Sequence, residues 1–328
     1  MRDCDFFVVY DILYNVCGTK GCFACRCDHG LRRMWRVGMI QALLIIFGIL
    51  VCFFLGVMCY DCNRFVTVAY EIKSEKITRE YTFVLLSDLH NKSYGYQSEK
   101  LLCKIEELSP DAVLVAGDML TAEQGAGYRT TVMLMERLSY KYPVYYGMGN
   151  HEHRIEECPE KFGDLYETYL ESLHRFGIEP LVNENVSLPA ANINICGLQM
   201  DERYYRKFRK FPMQDTYLSD MLGQPKKDKF QILIAHNPEY FEEYAKWGAD
   251  LVVSGHVHGG LMRLPVLGGV ISPNWTFFPK YDGGRFEKEN SVMILRRGLG
   301  MHTLPIRIFN PVELVVIHLK PKALGSKL

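Results

Sequence analysis

The feature of this 328-residue sequence that most constrains its fold is a pattern that occurs five times. Each time, a short apolar run is followed directly by aspartate, histidine or asparagine. The five segments are TFVLLSDLH (82–90), AVLVAGD (112–118), PVYYGMGNHE (143–152), FQILIAHN (230–237) and LVVSGHVH (251–258). Continuous apolar runs of this length, bounded by turn residues, indicate strands that are covered on both faces.

Amphipathic segments lie between these strands and predict helices over 97–108, 128–140, 159–176 and 238–247. Strands that alternate with helices predict an α/β fold with much parallel pairing. In such folds, ligands bind beyond the carboxyl ends of the strands. We therefore expect the five polar strand endings to meet at one edge.

Eight side chains at these endings are candidate ligands or catalytic groups: Asp88, His90, Asp118, Asn150, His151, His236, His256 and His258. One such residue alone more often belongs to a turn, but five convergent endings are difficult to explain by packing. The D-x-H and H-x-H pairs are expected to point to one side of an extended segment, because residues i and i+2 share a face. Gly255 is expected to permit the following turn, with Gly259 and Gly260 leaving room for substrate.

The donors in this set favour zinc, manganese or iron, and their number suits two divalent ions. Asp118 has two carboxylate oxygens and can bridge the pair. Two ions about 3.5–4 Å apart can clamp the attacking and leaving oxygens of an in-line phosphoryl displacement. They also acidify a bridging water, which supplies hydroxide near neutral pH.

The ordered motifs DLH, GD, GNHE, AHN and GHVH resemble the signature of the calcineurin-like metallophosphoesterase superfamily, over roughly residues 81–319. They are most similar to a membrane-associated bacterial branch related to UDP-diacylglucosamine-type hydrolases. The resemblance implies a four-layer αββα sandwich, with one metal on Asp88, His90, Asp118 and His258. The second metal is then held by Asp118, Asn150, His236 and His256. His151 is implied as the non-ligand acid that serves the leaving oxygen, and Glu152 as structural.

Residues 37–60 read VGMIQALLIIFGILVCFFLGVMCY and carry no charge, which predicts a single transmembrane helix. A buried core helix or a cleaved signal peptide fits this run less well. Arg32, Arg33 and Arg36 precede it directly, so the positive-inside rule favours an extracytoplasmic catalytic domain. The expected organisation is a cysteine-rich tail (1–33), a membrane helix (34–62), a juxtamembrane segment with the first strand (63–80), a catalytic domain (81–320) and a C-terminal tail (321–328).

The cysteine-rich stretch CGTKGCFACRCDH (17–29) has two interpretations. It could hold a small zinc site, or it is an artefact of gene calling if translation starts at Met34. The body contains only Cys103, Cys158 and Cys196, which do not make a disulfide framework. A net charge of zero argues against a dedicated polyanion binder, so no nucleic-acid polymer is expected as a partner.

On the substrate side, RYYRKFRK (203–210) is either a contact for phosphate or anionic lipid, or a solvated surface. Arg263 and His302 are the predicted substrate contacts, since arginine can hold phosphate bidentately. The predicted function is a membrane-anchored dinuclear phosphoesterase that acts on a small or lipid-linked phosphate ester. The alternatives are a non-catalytic metal-binding scaffold of the cell envelope, which has no need of His151, and a dinuclear amidase or peptidase. The oligomeric state stays open.

Overall fold

A computed structural model describes residues 23–206, 209–264, 267–272, 276–301 and 306–322. The chain divides into two compact units, Met1–Gly56 and Val57–Leu328. Helix α1 (Phe23–Asn63) supplies the described part of the first unit, and its last two turns, from Val57 onward, belong to the second unit. It begins at Phe23, earlier than the predicted residue 34, and the hypothesis of a zinc site in residues 17–29 lies outside the described side chains.

Helix α1 contains a candidate membrane span at Arg33–Asn63, with none of its most apolar window buried inside the protein. Apolar side chains such as Leu43, Ile45 and Phe47 are more than half exposed. An uncharged surface of this length is typical of a helix that has lipid around it. The helix is therefore a candidate transmembrane segment, by its length and composition.

The second unit contains two mixed sheets. The first has the strand order β1-β13-β2-β3-β4, in which only β13 and β2 are antiparallel. Its strands are β1 (Phe65–Ser74), β2 (Tyr81–Leu86), β3 (Ala112–Ala116), β4 (Val144–Gly147) and β13 (Val312–Pro321).

The second sheet has the order β11-β12-β8-β7-β6-β5, and its two outer pairs are antiparallel. Its strands are β5 (Glu184–Leu188), β6 (Ile193–Leu198), β7 (Phe230–Ala235), β8 (Leu251–Ser254), β11 (Gly284–Lys288) and β12 (Ser291–Leu295). A small hairpin joins β9 (Arg263–Leu264) and β10 (Gly268–Gly269). The remaining helices are α2 (Glu99–Leu108), α3 (Arg129–Ser139), α4 (Asn150–Glu157), α5 (Pro159–Phe162), α6 (Leu165–Arg175), α7 (Tyr217–Leu222) and α8 (Phe241–Trp247).

Alternation along the strands produces the layers. In β2, Val84 and Leu86 pack into the core that includes α2, α3 and α6, whereas Phe83 and Leu85 pack between the two sheets. In β7 the same alternation sends Leu233 toward α8. Because successive strand residues point to opposite faces, each sheet is covered on both sides. The result is helices, sheet, sheet and helices, which confirms the α/β metallophosphoesterase fold predicted from the sequence.

The predicted helix 128–140 is one residue shorter at each end, and the other three differ more, for local reasons. The predicted helix 159–176 is two helices, α5 and α6, because the chain turns at Gly163 with a φ of 62°. Helix α2 starts only at Glu99, since Gln97 and Ser98 have left-handed backbone angles. The segment 238–247 opens with one 3₁₀ turn before α8 begins.

Candidate metal centre

The carboxyl ends of five strands deliver the predicted ligands to one place. Asp88 and His90 follow β2, Asp118 follows β3, and Asn150 is the first residue of α4 after β4. From the second sheet, His236 follows β7, while His256 and His258 follow β8. Parallel neighbours bring their carboxyl ends to the same sheet edge, so the two sheets converge on a shared cluster.

The first group in this cluster contains Asp88, His90 and His258, all buried, with one potential ligand atom each within 4.8 Å of the others. The Nε2 atoms of His90 and His258 lie 3.3 Å apart, and His258 Nε2 lies 3.4 Å from Asp88 Oδ1. Two imidazole nitrogens on one tetrahedral zinc would be separated by about 3.4 Å. The spacing therefore fits two nitrogens that share an ion.

The second group contains Asp118, His236 and His256 at similar spacing. His236 Nε2 lies 2.9 Å from Asp118 Oδ2, and the rings of His236 and His256 are 5.3 Å apart. Asn150 is buried, and its Oδ1 accepts no hydrogen bond from the described residues. A buried amide oxygen without a donor costs stability, which a cation at this position would recover. Asn150 thus fits the role of a ligand.

Two histidines are held in the tautomer that a metal ligand requires. His90 Nδ1 lies 3.1 Å from the Leu120 carbonyl oxygen, and His236 Nδ1 lies 2.6 Å from that of Ala116. If each Nδ1 donates to its carbonyl, the neutral ring keeps a lone pair on Nε2, which faces the cluster. Backbone contacts of this kind fix ring orientation at metal sites. The donor set therefore fits two divalent ions, as the resemblance implies.

Burial and charge set the protonation of this cluster in opposite ways. Burial lowers the pKa of His90 well below its ordinary value, and repulsion from His258 and His151 in their protonated forms lowers it further. Burial also lowers the pKa of His236, but the Asp118 carboxylate outweighs it and raises that pKa to about 9. Burial raises the pKa of Asp118, yet His236 and the other histidines hold it well below its usual range. An ion that binds His236 must therefore displace a proton.

His151 touches the cluster but presents the wrong nitrogen for a ligand. It lies near His90 and Asp118, close enough to form a third potential ligand group. Its Nδ1, however, accepts a hydrogen bond from the Ala122 backbone N–H at 2.8 Å. A neutral imidazole with Nδ1 as acceptor carries its proton on Nε2 and cannot ligate a metal there. The geometry favours a proton donor at this position.

Glu152 is a structural support. Its carboxylate is fully buried and accepts backbone N–H bonds from Asp118, Met119, Leu120 and Gly149 at 2.7–3.0 Å. These four donors belong to the two loops that carry Asp118 and Asn150. One side chain therefore fixes both loops, in agreement with the structural role predicted for it.

The ligand pairs are not extended, contrary to the expectation from residue spacing. Asp88, His90, Asp118, His256 and His258 have φ between 48° and 72°, in the left-handed region. Each chain therefore turns sharply as it leaves its strand. The side chains of each pair meet because of these turns and not because residues i and i+2 share a face. Such strained backbone is typical of functional sites, where surrounding contacts enforce it.

The predicted roles of three glycines were also wrong. Gly255 lies outside the left-handed region, but a Cβ there would stand 2.4 Å from Asp88 Oδ2, so close approach excludes a side chain. Gly259 and Gly260 do have positive φ, and a Cβ on either would contact atoms within 3 Å. These glycines permit the turn and its packing, and they do not leave open space.

The two predicted substrate contacts are Arg263 and His302. Arg263 is held by Asp282, through its carbonyl oxygen at 2.8 Å and its carboxylate at 3.1 Å. These contacts hold Nη1 of Arg263 against the loop of Asp282, and its role as a substrate contact stays a prediction. His302 lies outside the described residues, so its role stays a prediction. In 203–210, Tyr205 is buried against the His256 ring, with centroids 5.2 Å apart.

Two supporting residues carry no signal in the sequence. Asn310 donates from its side-chain nitrogen to the carbonyl oxygens of His258 and Gly260, at 2.8 and 2.7 Å. Ser87 donates a short hydrogen bond to Asp88 Oδ2. Asn310 follows the last ligand by about fifty residues and stands beside Pro311 in an ordinary turn sequence. Only the three-dimensional fold brings it to the site.

The fold and the cluster together define a dinuclear metal-site protein of the α/β class. Consistent with this, the sequence model of the Calcineurin-like phosphoesterase family matches residues 81–260, which span all five ligand motifs. The chain belongs to this family. The family match supports the prediction of a metal-dependent phosphoester hydrolase.

Relatives agree at the level of the family. A Danio rerio transmembrane protein with metallophosphoesterase domain is 28% identical over 264 residues, covering 77% of this chain and 57% of that protein. An uncharacterized metallophosphoesterase of Campylobacter jejuni is 26% identical, covering 77% of this chain and 62% of its own length. This chain therefore spans less than two thirds of either relative. A Danio rerio dimetal phosphatase structure aligns with a TM-score of 0.39 and 15% identity, covering 69% of this chain and 89% of that one.

Proposed function

We propose that this chain is a membrane-anchored, dinuclear-metal phosphoesterase that hydrolyses a small or lipid-linked phosphate ester. The observation that carries the proposal is the convergence of seven metal-capable side chains beside one histidine, His151, that presents an N–H. The proposal includes a relation to the membrane-associated bacterial branch of UDP-diacylglucosamine-type hydrolases, because the sequences of the motifs are similar. The ions are divalent, with manganese, zinc and iron as candidates.

The residues of this chain divide the chemistry between them. Asp88, His90, Asp118 and His258 would hold one ion, and Asp118, Asn150, His236 and His256 the other. When bound, such ions supply Lewis-acid activation of water and of phosphoryl oxygens. His151 then offers its Nε2 proton to the oxygen on which negative charge develops, while Ala122 N–H keeps its ring oriented.

The alternative of a non-catalytic scaffold explains the ligands but not His151. A scaffold needs metal-binding side chains only and has no need of an imidazole that is oriented to present its Nε2 proton. An amidase or peptidase needs similar groups, but the family match favours phosphorus chemistry. The phosphoesterase is therefore the function we favour.

Purified full-length protein in detergent should hydrolyse a generic aryl phosphate monoester or diester when manganese or zinc is added. We expect Asp118→Ala to abolish this activity, because it removes a carboxylate that serves both ions. Asp220→Ala removes an exposed aspartate elsewhere and should retain wild-type turnover, which controls for a contaminating phosphatase. Equal turnover by Asp118→Ala and the wild type would contradict the proposal.

We further propose that α1 crosses the cell membrane once and that the catalytic domain is extracytoplasmic. The support is the uncharged run of exposed side chains and the arginines before it. The full chain should stay in the membrane pellet after alkaline carbonate washing and be released by detergent. A reporter joined after Leu328 should be active only outside the cytoplasm, and a cytoplasmic signal would reverse the orientation.

A further inference from the structure

A basic cleft lies beside the metal centre and takes no part in holding the ions. It encloses about 370 Å³, and its lining includes four cationic side chains and one residue of the ligand loop. We call this cavity the basic cleft. The cationic side chains are Arg206, Arg209, Lys210 and Lys280, and the residue of the ligand loop is Val257. Arg206 and Arg209 come from the segment RYYRKFRK, which the sequence leaves open as a phosphate contact or a solvated surface.

The cleft is lined by four cationic side chains and by two acidic residues, Glu239 and Glu242, so positive charge is in excess. Lys280 pairs with Glu242 at 2.6 Å, and Lys210 donates to the Glu239 carbonyl oxygen at 2.7 Å. Arg206 and Arg209 lie over one aromatic ring, that of Phe211, at 5.6 and 4.6 Å. Neither guanidinium has a carboxylate partner among the described residues. Two cations that contact the same ring therefore have N–H groups for an anion in the cleft.

The cleft and the metal centre share a wall. Val257, which lines the cleft, lies between the ligands His256 and His258 in the chain. Tyr205 precedes Arg206 and packs its ring on His256, at 5.2 Å between centroids. A molecule that fills the cleft therefore contacts the loop that carries His256 and His258.

We propose that the basic cleft binds a second anionic group of the substrate, a phosphate distant from the ester that is cleaved. This inference rests on the proposed function and narrows its substrate class to esters with two anionic groups. Guanidinium groups hold phosphate oxygens through paired, charge-assisted hydrogen bonds, and Phe211 keeps the two arginines in place. The second phosphate can be carried by a soluble metabolite or by a lipid headgroup, and the chemistry of recognition is the same.

The test uses two matched substrates, the p-nitrophenyl diester of glycerol 1-phosphate with and without a second phosphate on the other primary hydroxyl. Wild type should prefer the doubly phosphorylated ester in kcat/KM. The double variant Arg206→Ala/Arg209→Ala should lower that preference about tenfold, because it removes two charge-assisted contacts. The preference should also decrease as salt is added. A second pair, a short-chain phosphatidyl diester with and without a phosphate on its headgroup, distinguishes a headgroup from a soluble source.

Arg203→Ala is the matched control, because Arg203 lies in the same segment but pairs with Asp201 and does not line the cleft. It should keep the wild-type preference. A wild type without preference, or an equal loss for both esters in the double variant, would overturn the inference. If neither ester is hydrolysed, the aryl phosphate assay decides on the proposed function, and binding of glycerol 1,3-bisphosphate to Asp118→Ala protein decides separately on the cleft. Binding that depends on Arg206 and Arg209 supports the cleft, and binding that does not rejects it.

Discussion

At the residue scale, the convergence of the candidate ligands is predicted from the sequence, while the residues that support them are not predictable in the same way. Asp118 stands in a motif that can be recognised, because metal chemistry limits which side chains can replace it. Its position depends on Glu152, whose four backbone contacts are set by the turns of two loops. Such contacts become visible only in the folded structure.

Glu152→Gln should destabilise the protein although it changes few atoms. The Gln amide NH₂ would face backbone N–H donors, so at least one buried donor would lose its acceptor. We expect a loss of about 2–4 kcal/mol in the free energy of unfolding, measured by urea denaturation. Glu160→Gln, at an exposed position in α5, is the control and should change stability little. An unchanged urea midpoint for Glu152→Gln would show that Glu152 does not support the fold in this way.

Gly255→Ala should impair the metal centre through close contact. The new Cβ would stand 2.4 Å from Asp88 Oδ2 and 2.8 Å from Ser87 Oγ, so the ligand carboxylate must move. A displacement near 1 Å at a reacting centre can cost about 10²-fold in rate. Turnover of an aryl phosphate checks this, with Gly127→Ala as control because no atom lies within 4 Å of its Cβ. Wild-type turnover by Gly255→Ala would contradict the close packing.

At the element scale, the five ligand-bearing strands follow from apolar runs, but the ends of elements do not. Gly163 divides one predicted helix into two, and Gln97 delays another, because single left-handed residues decide where a helix can continue. The expectation for D-x-H and H-x-H failed for the same reason, since Asp88 and His258 lie in tight turns. Periodicity describes the interior of an element and contains little information on its termini.

The last turn of α1 is connected to the ligand loop through Asn310. Asp61 Oδ2 accepts a hydrogen bond from the Asn310 backbone N–H at 3.1 Å, and Arg64 pairs with the same carboxylate. Asn310 in turn holds the carbonyl oxygens of His258 and Gly260. The end of α1 is therefore part of the framework that positions one candidate ligand.

Asn310→Ala should weaken metal binding, since the loop that carries His258 loses two hydrogen bonds. Each bond contributes about 1 kcal/mol, so we expect an increase in the dissociation constant of roughly tenfold or more. Competition with a chelator measures this constant. Asn185→Ala, at an exposed position in β5, provides the control and should leave it unchanged. Equal affinities for the two variants would show that Asn310 does not support the site.

At the scale of the whole molecule, the metal centre joins the two sheets. Asp88 and His90 come from the first sheet and His258 from the second, and the other group combines Asp118 with His236 in the same way. The four-layer arrangement was implied by the resemblance and not by periodicity, because an apolar strand does not specify which second sheet will cover it. Because each ion would take ligands from both sheets, metal binding should stabilise the packing of the two sheets.

Metal binding should raise the thermal stability of the folded chain. An ion that binds only the native state, at a concentration a hundred times its dissociation constant, adds about 2.7 kcal/mol per site to the free energy of unfolding. Differential scanning calorimetry in detergent should show a higher melting temperature with added manganese or zinc and a lower one with chelator. The Asp118→Ala variant should show little shift, and a full shift in that variant would place the ions elsewhere.

The central claim is that seven residues hold two ions while His151 acts beside them without ligating. The most direct measurement is the metal-to-protein ratio of purified His151→Ala, with its turnover measured on the same sample. We expect two ions per chain, as in the wild type, and a kcat reduced by about 10²–10⁴-fold. Loss of an ion from His151→Ala, or fewer than two ions in the wild type, would contradict the claim.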